Sequence, residues 1–216
     1  MSPSGTRRSI RIRHGELERL RSDPRAWAAE RTGPPGWVRS GFGQAVRLAI
    51  NHFHATGDVG SARRYLASIM DRLNLRNSVR RRDAVRQLKA YVDWCMQERP
   101  VVLARRLRIE LPLGPRAVFC GEVSRVDLDR SNGGYRAILL GDAQTGWRDE
   151  LRMPLLQRAA AQKMQRDEDD FRVGVQNLDG SGLVVVRFGE NERDEAARAA
   201  RLLVARGLRA ISSLLA

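Results

Sequence analysis

The sequence predicts an α/β protein in which a mixed β-sheet is flanked by helices and preceded by an N-terminal helical region. Apolar residues recur at helical spacing up to about residue 98 and alternate with polar residues from residue 101 onward. Two glycine-containing turns then separate pairs of alternating segments, and amphipathic helices interrupt and end this half. With 216 residues, the chain can bury a core without disulfides or a metal.

The helices are predicted from apolar stripes and from the residues at their ends. Pro24 and Pro154 suit the first turn of a helix, Gly57 can end one, and Asn77 with Ser78 can cap a long one. A loop rich in proline and glycine covers 32–36. The predicted helices are 15–21, 25–30, 42–55, 59–73, 79–97, 154–165 and 192–215.

The strands are predicted from alternation of apolar and polar residues. The string SNGG at 131–134 indicates a tight hairpin turn, and DGSG at 179–182 indicates a second one. The predicted strands are 101–113, 118–128, 135–140, 172–177 and 183–188. We expect a basic arm or short edge segment at 1–13, a helical region at 14–98 and an α/β core at 99–216, together forming one compact unit.

Positive charge is concentrated in the N-terminal half. The net charge is +14; residues 1–115 hold 23 Lys and Arg against 10 Asp and Glu, an excess of 13, whereas residues 116–216 hold 16 against 15, an excess of 1. A polyanion is the natural partner of such a field, because arginine–phosphate contacts release condensed counterions. A GC-rich genome would explain the preference for arginine over lysine but not the segregation of charge. We therefore expect a nucleic-acid partner.

The cysteine content and the hydropathy of the chain both bear on where in the cell the protein is expected. Cys95 and Cys120 do not form a CxxC pair, so a structural zinc site is not expected, and two free thiols fit a reducing cytosol. No stretch approaches the roughly 20 apolar residues of a membrane helix, and no apolar signal core follows the basic N-terminus. We expect a cytoplasmic protein without membrane contact.

Four short strings follow one another in an order that resembles a known family. They are LERLRSDPRAW at 17–27, GQAVRLAINHF at 43–53, GEVSRVD at 121–127 and DAQTG at 142–146, the last followed by a helix containing PLLQRAA. Over residues 12–205 their order is similar to the RecB-like branch of the PD-(D/E)xK nucleases. That branch includes exonuclease domains of recombination helicase–nucleases and the exonucleases of CRISPR adaptation.

The resemblance implies positions for the catalytic residues, and most of them have changed. Ser124 stands where the family has a metal-binding aspartate, and Gln144 stands where it has a lysine. Asp142 keeps the acid of the second motif, and Gln157 matches the glutamine of the following helix. Arg47 occupies the position of a histidine.

The resemblance also bears on cofactors. The family's cysteine in a Cys-Pro-Arg triplet can ligate an iron–sulfur cluster, but here the triplet reads Asp23-Pro24-Arg25, so no cluster is expected. A PD-(D/E)xK site holds Mg²⁺ with two carboxylates, and the lysine stabilises developing charge. Since a serine hydroxyl is a weak ligand and glutamine is uncharged, we expect no cofactor and a catalytically inactive chain.

A displaced carboxylate pair is the route by which activity could survive. Glu122 lies two residues before Ser124, on the same face of a regular strand, and could bind Mg²⁺ together with Asp142. Asp127 would point to the opposite face. A plainer interpretation makes Asp142 a turn residue and Gln157 a helix surface residue.

The candidate nucleic-acid-binding residues are basic or aromatic. The run at the start of the predicted helix 79–97 is dense enough to favour phosphate contacts, although a solvated helix face is the alternative. Trp147 could line a site and stack on bases. The candidates are Arg47, Arg80, Arg81, Arg82, Arg86 and Trp147.

Three hypotheses remain from the sequence. The first is a binding module for nucleic acid, with DNA favoured over RNA, that works with helicase or nuclease subunits in a DNA repair, recombination or phage-defence assembly. The second is a divergent Mg²⁺-dependent deoxyribonuclease that uses Glu122 and Asp142. The third is a structural subunit that docks through its C-terminal helix without touching nucleic acid.

Overall fold

A computed structural model describes residues 9–32, 41–141 and 146–215. Residues 1–8 of the predicted arm, residues 33–36 of the predicted loop, and the candidates Asp142 and Gln144 lie outside the described residues. Within the described part of the chain, every helix is too short or too polar to span a membrane.

The described elements confirm the predicted α/β class. The helices are α1 (His14–Ser22), α2 (Pro24–Thr32), α3 (Phe42–Thr56), α4 (Val59–Arg72), α5 (Ser78–Glu98), α6 (Arg152–Met164) and α7 (Glu190–Leu215). The strands are β1 (Ile10–Arg13), β2 (Val101–Pro112), β3 (Ala117–Asp129), β4 (Gly134–Gly141), β5 (Phe171–Asn177) and β6 (Leu183–Val186).

Several of these elements end at the capping and turn residues predicted from the sequence. The Asn77 side chain accepts a hydrogen bond from the Arg80 amide at 3.0 Å and caps α5. Gly57 ends α3 with a φ of 70°, and Gly133 has a φ of 74° in the turn between β3 and β4. Glycine adopts this left-handed conformation at no steric cost, which is why these positions stop one element and reverse another.

The sheet is mixed and is built around β3. One edge of β3 pairs with antiparallel β2 along its length. The other edge is shared: β1 pairs with it in parallel at Ala117 to Cys120, and β4 pairs antiparallel at Arg125 to Asp129. β5 then continues in parallel from β4, and β6 completes the sheet. The end of the predicted arm, Ile10–Arg13, is therefore a strand.

Helices cover both faces of this sheet. The first core lies between the sheet and α1, α2, α6 and α7, and includes Leu20, Phe119 and Leu156. The second core lies between the sheet and α3, α4 and α5, and includes Ile50 and Leu88. The N-terminal helices are thus divided between the two faces.

A buried arginine joins the sheet to the second helical layer. The Arg125 Nε donates to both carboxylate oxygens of Asp127, at 2.9 and 2.8 Å, and Nη2 donates to the Gln176 side chain at 3.3 Å. Nη1 donates to the Tyr91 hydroxyl on α5. The hydroxyl proton then lies toward His54 Nε2 on α3, 2.6 Å away. The Arg125 side chain is only 1% exposed, and each of its three nitrogens therefore has a hydrogen-bond partner.

The electrostatics of this pair are set by burial. Burial raises the pKa of Asp127 even though Arg125 lowers it, and burial also raises the pKa of the Tyr91 hydroxyl. The guanidinium of Arg125 lies 4.8 Å from the centre of the Trp94 ring, which adds a cation–π contact.

We expect Arg125→Met to lower the free energy of unfolding by about 3–5 kcal/mol, because Asp127 would be left buried without its counter-charge. Urea unfolding followed by circular dichroism measures this change. Arg125→Met/Asp127→Leu should recover most of the loss, since both charges are then absent. A loss below about 1 kcal/mol in the single variant would show that the pair is not needed to hold the layers together.

Candidate nucleic-acid interface

A cleft opens where β1 and β4 separate along β3. Among the described strands, residues 121–124 of β3 have no partner on that edge, because the β1 pairing ends at Cys120 and the β4 pairing begins at Arg125. The cavity above them has a volume of about 460 Å³. Its lining residues are His14, Arg47, Glu122, Ser124, Leu139, Leu140, Gly141, Trp147, Glu150, Arg152 and Val175.

His14, the first residue of α1, closes one side of the cleft. Its ring lies against Gly121, where a Cβ would come within 2.5 Å of the His14 Cδ2 atom, so glycine is required for this approach. The Arg152 Nη1 donates to His14 Nδ1 at 3.3 Å, so that nitrogen is an acceptor and the ring is neutral. Burial, together with the charges of Arg152 and Arg47, lowers the pKa of His14 to about 4.

Glu122 lies in the cleft, as the sequence predicted, but Arg106 of β2 binds it. The Arg106 Nε lies 3.0 and 3.2 Å from the two carboxylate oxygens, and Nη2 lies 3.1 Å from one of them. This bidentate geometry is a strong arginine–carboxylate arrangement. The carboxylate that was predicted to bind metal therefore already has a counter-charge.

Ser124 has a structural role at the same point. Its hydroxyl accepts a hydrogen bond from the Leu140 amide at 3.1 Å. The regular β3–β4 pairing begins only at Arg125 with Ile138, so this side chain replaces the strand partner that the Leu140 amide lacks there. Ser124 thus fixes the inner corner of the cleft.

The strand alternation predicted for β3 fails next to Ser124. Val123 and Val126 are three residues apart, yet both are buried in the first core. On β2, the residues on either side of Arg106 pair with the residues on either side of Ser124. Arg106 itself has a φ of 50°, so the backbone of β2 is irregular at this point. Asp127 consequently lies on the same face as Glu122, and the prediction that it points to the opposite face is wrong. It still does not join Glu122, because Arg125 binds it.

The predicted arginines do not all reach the cleft. Arg47 does: it is exposed on α3 and has no carboxylate within ion-pair distance among the described residues. Arg81 donates to Asp71 at 2.8 Å, and Arg86 is paired with Asp83 at 2.9 Å.

The two other predicted arginines at the start of α5 are exposed. Arg80 lines a second cavity of about 540 Å³ between the first turns of α3 and α5, and Arg82 lines neither cavity. Gly43 lines this second cavity one turn before Arg47, so the two cavities are neighbours along α3.

Trp147 forms a wall of the cleft. It is only 8% exposed and belongs to the first core, and the Arg148 guanidinium lies 5.8 Å from its ring centre. A ring so deeply buried offers little of its face for stacking on a base. Trp147 lines the same cavity as Glu122 and Ser124, and its role in binding nucleic acid stays a prediction.

Gln157 lies away from the cleft, so the structure does not bring this predicted catalytic residue to the others. It is fully buried on α6. Its Nε2 donates to the carbonyls of Glu168 and Phe188, each at 3.0 Å, and its Oε1 accepts from the Phe188 amide at 2.9 Å. These bonds join α6 to the segments before β5 and after β6. Because the side chain is fully buried, the alternative of a helix surface residue is wrong.

Several cleft residues were not predicted. Glu150 and Arg152 form an ion pair at the cleft wall, and Arg106 binds Glu122 from the edge strand. His14 closes the cleft from the start of α1. None of these carries a sequence signal, since no spacing rule relates residue 14 to residue 152 or fixes the register of β2 on β3.

The described donors do not fit a Mg²⁺ site. Glu122 and Glu150 are each paired with an arginine, and the described residues contain no group of three His, Cys, Asp or Glu side chains able to hold a metal. Asp142, the other predicted ligand, lies outside the described residues, so its pairing with Glu122 stays a prediction.

Comparison with known proteins identifies the fold. No family model and no curated protein matches the chain. Among solved structures, a crystal structure from Eubacterium rectale described as a "putative exonuclease" matches with a TM-score of 0.59 and 8% identity, covering 97% of this chain and 83% of that one. The two chains share a fold. The predicted nuclease-like α/β fold is confirmed, and membership of the RecB-like branch stays a prediction.

We expect Gln157→Leu to cost about 1–3 kcal/mol of unfolding free energy, because the buried Phe188 amide would lose its acceptor. The carbonyls of Glu168 and Phe188 would each lose one of two donors, since the Phe171 amide and Arg193 also bind them. Nucleic-acid binding by the folded variant should be unchanged. The exposed Gln162 on the same helix provides a matched control, and Gln162→Leu should change stability by less than about 0.5 kcal/mol in urea unfolding. A loss of binding without a loss of stability would instead place Gln157 in the site.

We also expect stability to fall as the pH falls from about 6.5 to about 4. The pKa values of His14 and His54 are both lowered to about 4, chiefly by burial, so in this range the unfolded chain binds protons that the folded chain does not. Thermal unfolding across this pH range measures the effect, and His14→Gln/His54→Gln should flatten the profile. A wild-type melting temperature that stays constant or rises between pH 6.5 and 4 would contradict the assignment of two neutral histidines.

Proposed function

We propose that this chain binds nucleic acid in the cleft through its phosphates and does not cut it by metal-dependent hydrolysis. The observation that carries the proposal is the bidentate pairing of Glu122 with Arg106, which neutralises the cleft carboxylate. Arg47 meanwhile remains exposed at the same cleft without a carboxylate partner among the described residues. A cleft of this kind attracts an anion rather than a divalent cation.

The charges around the cleft support this proposal. At the cleft there are three positive charges, on Arg47, Arg106 and Arg152, and two negative charges, on Glu122 and Glu150. His14 is neutral and adds no charge. The excess of 13 positive charges in residues 1–115, counted as 23 Lys and Arg against 10 Asp and Glu, extends the field beyond the cleft. Fields of one sign over a cleft raise the local concentration of an oppositely charged ligand.

The fold comparison is compatible with the same ligand class. The Eubacterium rectale protein is described as a "putative exonuclease", which would act on nucleic acid. On the resemblance to helicase–nuclease assemblies we propose that a partner subunit supplies cutting where a pathway requires it, in DNA repair, recombination or phage defence. DNA is favoured over RNA on the same resemblance.

The test is binding to labelled DNA and RNA oligonucleotides, measured by fluorescence anisotropy over a range of salt concentrations. Arg47→Ala should weaken binding to all sequences alike and reduce the slope of log K against log salt by about 0.7–0.9, the share of one phosphate contact. Arg206→Ala provides the matched control, because Arg206 is exposed on α7, whose helix packs on the opposite face of the sheet. Equal affinities of wild type and Arg47→Ala would overturn the proposal.

The same oligonucleotides incubated with Mg²⁺, Mn²⁺ or EDTA test the absence of cleavage. We expect intact substrate in every lane. Cleavage that needs the metal and is lost in Glu122→Gln would establish the alternative, a divergent nuclease that uses this carboxylate. Cleavage that persists unchanged in Glu122→Gln would indicate a contaminating nuclease.

A further inference from the structure

The edge strand β2 carries a run of arginines that the sequence analysis did not single out. Arg105, Arg106 and Arg108 lie within four consecutive residues, and all three are exposed. Among the described strands, β2 pairs only with β3, so it is an edge strand and its other edge has no strand beside it. Arg106 in this run pairs with Glu122, which lines the cleft.

The strand register places these arginines on the face of the sheet that holds the cleft. Arg108 is opposite Glu122, and Arg105 is opposite Arg125, whose side chain contacts α5. Side chains of directly opposed residues project from the same face. The charge of Arg105 is also among the causes that lower the pKa of His54, which places it near α3. α3 carries Arg47 two turns earlier.

Two of the three arginines are not paired with a carboxylate and can contact a ligand. Arg106 is occupied by Glu122, whereas Arg105 and Arg108 have no carboxylate within ion-pair distance among the described residues. They are about 10 Å apart along a strand that rises about 3.3 Å per residue. Together with Arg47 they place unpaired positive charge both at the cleft and on the neighbouring edge strand.

The size of the cleft indicates which nucleic acid it can take. The gap in strand pairing that opens it spans 121–124 of β3, about 10 Å from the first to the last Cα at the rise of a strand. Glu122 and Ser124 form the floor of the cleft within that gap. The major groove of B-DNA alone is about 12 Å wide, so a duplex is wider than the floor, whereas one strand fits. A duplex could touch the rim but could not enter.

We infer that a single strand of nucleic acid occupies the cleft and leaves it along β2, with its phosphates held by Arg47, Arg105 and Arg108. The inference rests on the proposed function and adds to it the strandedness of the ligand and a track outside the cleft. Arg106 has a different part: by holding Glu122 it removes a negative charge that would repel the strand. Charge on an edge strand also discourages pairing with the strands of other chains. If no ligand bound along β2, this would be the only role of Arg105 and Arg108.

The experiment compares wild type, Arg105→Gln/Arg108→Gln and Arg105→Lys/Arg108→Lys on a labelled single-stranded DNA and its duplex, over a range of salt concentrations. We expect the Gln variant to bind the single strand more weakly, with a slope of log K against log salt reduced by about 1.4, since each phosphate contact on a single strand contributes about 0.7. The Lys variant keeps both charges and should keep most of the slope. The control Arg206→Gln/Arg209→Gln removes two exposed arginines from α7 and should leave the slope unchanged.

The outcomes separate this inference from the proposed function. If the Gln variant keeps the wild-type slope while Arg47→Ala weakens binding, the track is wrong and the proposed function stands. The same holds if the Gln variant only gains a tendency to aggregate, which would make the arginines edge protection alone. If the duplex binds more tightly than the single strand, the strandedness is wrong. If wild type binds neither, the proposed function fails and the track fails with it.

Discussion

The buried Arg125–Asp127 pair is the contact on which the position of α3 and α5 over the sheet depends. It joins β3 to Tyr91 of α5 and, through the Tyr91 hydroxyl, to His54 of α3. A buried charge must keep every partner, since loss of one leaves an uncompensated charge in a region of low polarisability. α3 is therefore held in one position over the sheet, and Arg47 of α3 is held at the cleft.

The break in alternation beside Ser124 has a comparable effect on the sheet. It allows Val123 and Val126 to face the same core while Arg125 and Asp127 face α5. Unbroken alternation would put Val123 on the same face as Arg125 and Asp127, so the two valines could not both face the first core while the ion pair faces α5. The irregularity coincides with the point where β1 and β4 separate, so the packing of β3 and the opening of the cleft have one origin.

The chemistry of the cleft follows from pairing rather than from composition. Its two glutamates are each held by an arginine, and its histidine is neutral because burial and nearby arginines disfavour the proton. What remains is the charge of Arg47, continued by Arg105 and Arg108 on the edge strand. This distribution favours binding of a phosphate backbone over coordination of a divalent cation.

The sequence by itself determined the class of the fold, most element boundaries and the basic character of the N-terminal half, because periodicity, caps and turns are local properties. Its short motifs made Glu122, Ser124 and Arg47 candidates, and the structure brings these three residues together with Trp147 in one cavity. The sequence left residues 1–13 open between a basic arm and a short edge segment, because the four residues of β1 acquire a strand partner only more than 100 positions later. The tertiary structure alone decided that Arg106 neutralises Glu122, that Asp127 faces α5, and that Gln157 is a buried structural residue. Each of these depends on strand register or on contacts between distant segments, and no spacing rule within one segment contains that information.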